Sequence, residues 1–143
     1  MMGRIAYLCV GLAALVSLPT EGRSAALPHK DQAEQIEQIR TFAYCAGRMM
    51  ALRDHLSIFG TEGVDAADTR RSAHLAILDA LVEIASEDGF DYRQAYSWQI
   101  DARAAQTAVL SQADFGTSET TRRRARAAAD RHIASCDRLI LGA

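Results

Sequence analysis

The sequence contains few of the residues that interrupt helices or favour β-structure. Proline occurs only at Pro19 and Pro28, and aromatic residues make up 6% of the 143 residues. Alanine is the commonest residue and has the highest helix propensity. A β-sandwich or β-barrel would need turn residues about every 8–12 positions, and this spacing is absent. The composition therefore predicts an all-α protein.

The chain also lacks an excess of basic charge. Its formal net charge is −2, and Lys30 is its only lysine. Without residues 1–26, the remainder carries 14 basic and 17 acidic side chains. A domain with this balance lacks the electrostatic footprint of a nucleic-acid-binding protein. We therefore expect no nucleic-acid partner.

Residues 1–26 have the three-part pattern of a secretory signal peptide. Arg4 is followed by an apolar run from Ile5 to Leu18 and then by small residues ending at Ala26. Cleavage is expected after Ala26, with Ser24 as the second choice. The alternative is a membrane anchor, but the run has 14 residues, whereas a spanning helix needs about 20. The pattern predicts a periplasmic or secreted protein with one domain, residues 27–143, and no transmembrane segment after cleavage.

Two cysteines, Cys45 and Cys136, remain after the predicted cleavage. In an exported chain such a pair most often forms a disulfide, the alternative being two buried free thiols. Neither cysteine belongs to a CxxC or CxxCH motif, which argues against thioredoxin-like redox chemistry and covalent haem. We therefore predict a structural Cys45–Cys136 disulfide.

Apolar residues recur every three or four positions in four segments separated by glycine-containing loops, a spacing typical of amphipathic helices. The expected helices run from about Asp31 to Gly60, from about Asp65 to Ser86, from Asp91 to Phe115, and from Thr117 or Ser118 to about Leu141. Asp31, Asp91 and Thr117 or Ser118 are expected to cap their helices. Because the connections are short, we predict an up-down-up-down antiparallel four-helix bundle, with the disulfide joining helices 1 and 4.

A metal or haem site is the alternative suggested by Met49, Met50 and His132. Met49 and His132 lie one turn from the paired cysteines on the same predicted faces, so they should be close in space. Thioether and imidazole ligands suit copper, and a Met–His pair resembles the axial ligands of b-type haem bundles. However, the disulfide would hold the helices too close together for a porphyrin. Met and His are also common in cores, so no cofactor is predicted. His55 and His74 are expected to be ordinary, partly exposed histidines.

The strongest charge cluster lies near the start of the fourth helix and comprises Arg122, Arg123, Arg124 and Arg126. Basic residues at a helix N-terminus oppose the helix dipole, so stability alone would not select them. They indicate either a face that contacts an anionic partner or a simply solvated face. Tyr92 and Tyr96, one turn apart on the third helix, are a second candidate contact, unless they only cover the edge of the core.

No catalytic constellation is evident. Asp101 and Asp130 lie among alanines, but two acids without a cleft do not define a general acid–base pair. The sequence also has no glycine-rich phosphate-binding loop. We therefore expect a non-enzymatic interaction module of the cell envelope, contacting an envelope protein or an anionic envelope component.

The signal and the disulfide can be tested together. Intact-mass analysis of exported protein should give a chain that begins at Leu27 and has the mass of the disulfide form. If thiol labelling under native conditions modified both Cys45 and Cys136, the predicted disulfide would be wrong.

Overall fold

The computed structural model describes residues 30–60 and 62–141, and these residues form four helices and no strand. The helices are α1 (Lys30–Ile58), α2 (Val64–Glu87), α3 (Tyr92–Phe115) and α4 (Glu119–Leu141). The all-α prediction is confirmed, with each described helix end within about two residues of its expected position. The predicted signal segment, residues 1–26, lies outside the described residues.

Two of the three predicted caps are observed. The Asp91 carboxylate accepts a hydrogen bond from the Arg93 N–H at 3.0 Å, and the Ser118 hydroxyl accepts one from the Thr121 N–H at 3.1 Å. Asp31 is not a cap, because α1 already includes Lys30 and Asp31 lies in its first turn. A carboxylate there still interacts favourably with the helix dipole.

The helices follow the predicted up-down-up-down order. The disulfide joins Cys45 of α1 to Cys136 of α4, with 5.4 Å between the Cα atoms. Gln106 of α3 meets His132 of α4 in the antiparallel register expected for consecutive helices. None of the four helices has the apolar length that crossing a bilayer would require.

The closest packing is between α1 and α3, which run parallel to each other. Gly47 makes this approach possible, because a Cβ atom there would collide with the Gln99 carbonyl oxygen and lie 3.0 Å from Ala102 Cβ. Further along the same pair, Asp54 accepts a hydrogen bond from Arg103, and His55 lies 3.1 Å from the Asp114 carboxylate. The α1–α3 contact is therefore the axis of the bundle, and α2 and α4 flank it.

The core is built mainly from small and aliphatic residues, but its position on α3 differs from the prediction. The buried residues of α3 are Ala95, Ala102, Gln106, Leu110 and Ala113. Ala105 is exposed, although its helical spacing from Ala102 and Val109 in the sequence predicts that it faces inward. The buried face is rotated because α3 packs against α1 as well as α4, and this rotation buries the polar Gln106.

The contact at Gly47 predicts that replacing this glycine by alanine destabilises the protein, whereas the same replacement usually stabilises a helix. In an exposed helix interior, Gly→Ala stabilises by about 1 kcal/mol. Gly47→Ala should instead lower the free energy of unfolding by about 1–3 kcal/mol, because the added methyl group forces α1 and α3 apart. Urea unfolding of the oxidised protein measures this change.

Ser97→Ala, at an exposed position of α3, is the matched control and should change stability by less than about 0.5 kcal/mol. A Gly47→Ala variant as stable as the parent would mean that the two helices do not touch at this point.

Candidate functional site

A groove of about 280 Å³ lies between α1, α3 and α4. Helix α1 contributes Tyr44 and Arg48, one turn apart, and α4 contributes His132. Helix α3 contributes Ala102, Ala105, Gln106 and Val109 to the floor and the exposed Asp101 to the rim. We call this site the α1–α3–α4 groove.

Gln106 and His132 form a polar pair at the base of this groove. The Gln106 side chain, 1% exposed, has its Oε1 2.9 Å from Nδ1 of His132. Since the carboxamide oxygen accepts, His132 carries its proton on Nδ1. Burial lowers the pKa of His132, and the positive charges of Arg48 and Arg131 lower it further, so the ring is neutral at physiological pH. The Gln106 Nε2 group is buried without a hydrogen-bond partner among the described residues.

Arg48 brings a partly buried positive charge to the groove. One of its guanidinium nitrogens lies 3.9 Å from Sγ of Cys136, and disulfide sulfur is a weak acceptor. No carboxylate of residues 30–60 or 62–141 lies within ion-pair distance of this guanidinium. Burial lowers the pKa of Arg48, and the neighbouring Tyr44 partly offsets this effect. The groove thus contains a cation that forms no ion pair with a described residue, although Asp101 also lines the groove.

The three candidate metal ligands occupy different surroundings. Met49 is fully buried against the disulfide, beside Leu52 and Ile133. Met50 lines a separate groove that contains Arg53, Asp68 and Arg103, while His132 bonds to Gln106 in the α1–α3–α4 groove. Within the described ranges, no group of three His, Cys, Asp or Glu side chains is placed to hold a metal ion. The structure does not bring Met50 and His132 to one site.

The two remaining described histidines differ sharply. His55 is partly exposed, as predicted, and its Nε2 lies 3.1 Å from the Asp114 carboxylate. His74 was expected to be partly exposed, but it is fully buried in α2 against the Phe42 ring. The prediction was wrong because His74 shares the inner face of its helix with Ala67 and Leu78. Neither ring nitrogen of His74 has a hydrogen-bond partner in the described part of the chain.

The arginine cluster divides into one structural residue and several exposed ones. Arg122 donates to the Gly116 carbonyl oxygen at 2.9 Å and pairs with Glu119 at 2.8 Å, so it closes the α3–α4 turn. Arg123, Arg124 and Arg126 are exposed. None of these three forms an ion pair with a described residue.

The tyrosine pair lies on the surface of α3. Tyr92 is 65% exposed and Tyr96 is 62% exposed, and Ile100 continues their stripe one turn further.

The two aspartates considered as catalytic candidates in the sequence lie at different places. Asp101 lies at the rim of the α1–α3–α4 groove, and Asp130 is on the exposed surface of α4.

Comparison of the chain with protein-family models, with curated proteins and with solved structures finds no match.

The sequence predicted that His132 lies one turn from the disulfide and close to Met49, but it did not predict the neighbours Tyr44, Arg48 and Gln106. One signal for Gln106 was present, because it lies at helical spacing between the inward-facing Ala102 and Leu110. A glutamine at such a position means either that a polar side chain is buried or that the buried face of the helix has been predicted incorrectly. Only the packing of α3 against α1 distinguishes these two cases.

Buried His74 predicts a pH-dependent stability. Burial lowers its pKa below the ordinary value of 6.5, while the Asp137 charge opposes the shift. Below pH 6.5 the unfolded chain binds a proton that folded His74 excludes, so stability falls as the pH falls. The slope is at most about 1.4 kcal/mol per pH unit for this group. His132, whose pKa is also lowered, acts in the same direction.

His74→Leu should reduce this slope and leave the protein as stable at pH 7 or more stable by about 1–3 kcal/mol, because two unpartnered nitrogens are removed. Chemical unfolding at pH 5, 6 and 7 measures both effects. His74→Gln is the matched control, since it abolishes the titration but keeps a buried polar group. It should reduce the slope as much as His74→Leu does, without gaining stability, and an undiminished slope in both variants would contradict the assignment.

Proposed function

We propose that the protein is exported and acts as a non-enzymatic binding module that contacts the anionic lipid surface of the cell envelope. The observation that carries this proposal is an arginine face on the solvent side of α4. We define this face as the exposed side chains Arg123, Arg124, Arg126, Arg131 and Arg138. None of them forms an ion pair among residues 30–60 and 62–141.

The charge of this face contrasts with that of the whole chain, whose net charge is −2. Two of the acids on α4 are already engaged, since Glu119 pairs with Arg122 and Asp137 pairs with Arg70 of α2. Of the other residues on the helix, only Asp130 supplies a negative charge. A net acidic protein therefore presents one strongly positive helix surface, and such a surface attracts polyanions.

The placement of these charges favours a binding role over a stabilising one. Arg123 and Arg124 lie near the N-terminus of α4, where positive charge is unfavourable for the helix dipole. The five arginines are spread along α4 on its exposed surface, an arrangement suited to an array of phosphate groups. Each arginine near an anionic membrane surface contributes about 1 kcal/mol to binding.

Export is supported by the N-terminal pattern and by the disulfide. Residues 1–26 have the order of a secretory signal, and disulfides form and persist in oxidising compartments such as the periplasm. Cys45 and Cys136 are 3% and 0% exposed, so the disulfide lies in the interior, as structural disulfides do.

Binding to vesicles tests the proposal. The oxidised protein should float with vesicles that contain phosphatidylglycerol and not with phosphatidylcholine vesicles, and added salt should release it. The triple variant Arg123→Gln, Arg124→Gln, Arg126→Gln should bind at least about tenfold more weakly. Its stability should be nearly unchanged, because all three side chains are exposed.

The matched control is Arg40→Gln, Arg53→Gln, Arg93→Gln, which removes the same charge from α1 and α3. It should bind as the parent does, because these arginines belong to ion pairs on other surfaces. Equal weakening by both triples would show that net charge alone governs binding, and salt-insensitive flotation would contradict the proposal.

A further inference from the structure

We infer that the α1–α3–α4 groove is a binding site for a small organic monocarboxylate. This site is distinct from the arginine face, and the inference does not depend on the proposed contact with lipid. Four features of the groove support it: an amide donor without a hydrogen-bond partner and a guanidinium without an ion-pair partner among the described residues, an apolar floor, and one acid at the rim.

The unused donor is Nε2 of Gln106. Gln106 lines the groove and is 1% exposed, its Oε1 lies 2.9 Å from Nδ1 of His132, and its Nε2 has no hydrogen-bond partner among the described residues. Leaving a buried donor unpaired costs about 1–3 kcal/mol. A carboxylate oxygen in the groove would accept a hydrogen bond from this group and remove the cost.

The charge that complements a carboxylate is on Arg48. The planar guanidinium matches a carboxylate with two parallel hydrogen bonds, and among the described residues its only side-chain hydrogen-bond partner is the weak acceptor Sγ of Cys136 at 3.9 Å. Partial burial strengthens the attraction, because less water screens the charge. Tyr44, one turn earlier on α1, places a phenol at the same wall of the groove.

The remaining lining selects the size and charge of the ligand. Ala102, Ala105 and Val109 give the floor an apolar surface for a hydrocarbon group, and about 280 Å³ limits the ligand to a small molecule. Asp101 at the rim repels negative charge, and this repulsion is greater for a dianion than for a monoanion. Among the described residues that line the groove, Arg48 is the only cation when His132 is neutral, which favours a monoanion over a dianion or a phosphate.

Titration of the folded, oxidised protein with benzoate, followed by two-dimensional ¹H–¹⁵N NMR, tests the inference. Benzoate should cause saturable shifts of the Gln106 side-chain amide and of the backbone amides of Ala102, Ala105 and Val109. Benzamide, which has the same shape without the charge, should bind at least about tenfold more weakly, a difference of about 1.4 kcal/mol. Inorganic phosphate should not shift these signals.

Variants separate the groove from the general charge of the protein. Arg48→Gln should weaken benzoate binding at least about tenfold while leaving the spectrum otherwise folded, and Arg48→Lys should retain part of the affinity. Arg93→Gln, with the same charge change at an exposed position of α3, should bind as the parent does.

Equal responses to benzoate and benzamide, or unchanged affinity in Arg48→Gln, would overturn the inference. It would also be overturned if the triple variant of the arginine face lost the benzoate response, because the anion would then bind on α4. Failure of the protein to float with anionic vesicles leaves these groove signals unaffected, so the two proposals fail separately.

Discussion

The Cys45–Cys136 bond is the constraint on which the arrangement of the helices depends. Helix α4 packs mainly on α3 and meets α1 over a short stretch, where the disulfide holds the two Cα atoms 5.4 Å apart. Closing a loop of 91 residues removes entropy from the unfolded chain that corresponds to about 4–5 kcal/mol. This is a large share of the stability of a small domain, and the bond also fixes the distance between the walls that hold Arg48 and His132.

The second constraint is the close approach of α1 to α3 at Gly47. Small residues on both helices, including Ala43, Ala46 and Ala102, allow the backbones to meet, and large side chains are placed further out. The approach rotates α3 so that Gln106 points inward. The buried carboxamide of Gln106 then has its oxygen within hydrogen-bond distance of His132, whereas its nitrogen has no hydrogen-bond partner among the described residues. The groove is a direct result of how the two helices pack.

Charge is distributed unevenly over the bundle. Along α1, α2 and α3, arginines and aspartates alternate in a chain of ion pairs that includes Arg103–Asp54 and Arg71–Asp68. Within the described part of the chain, most arginines of α4 form no ion pair, and neither does Arg48 in the α1–α3–α4 groove. The first arrangement neutralises itself, whereas the other two leave positive charge available to an external anion. The arginine face of α4 is a broad solvated surface, so salt should weaken its binding to anions. The α1–α3–α4 groove is a confined site, so its affinity should depend on the shape of the ligand.

The sequence alone determined the helical class, the helix boundaries to within about two residues and the cysteine pairing. Each of these follows from local signals: apolar spacing, capping residues such as Asp91 and Ser118, and the presence of only two cysteines after the predicted signal. It also singled out the exposed arginines and tyrosines. Only the tertiary structure decided that α1 and α3 form the central contact, that His74 and Gln106 are buried, and that Arg48 faces a groove. These facts depend on helix rotation, which periodicity defines only to about one residue, or about 100° around the axis. A shift of that size leaves the helix intact but exchanges the side chains that face solvent for those that face a neighbour.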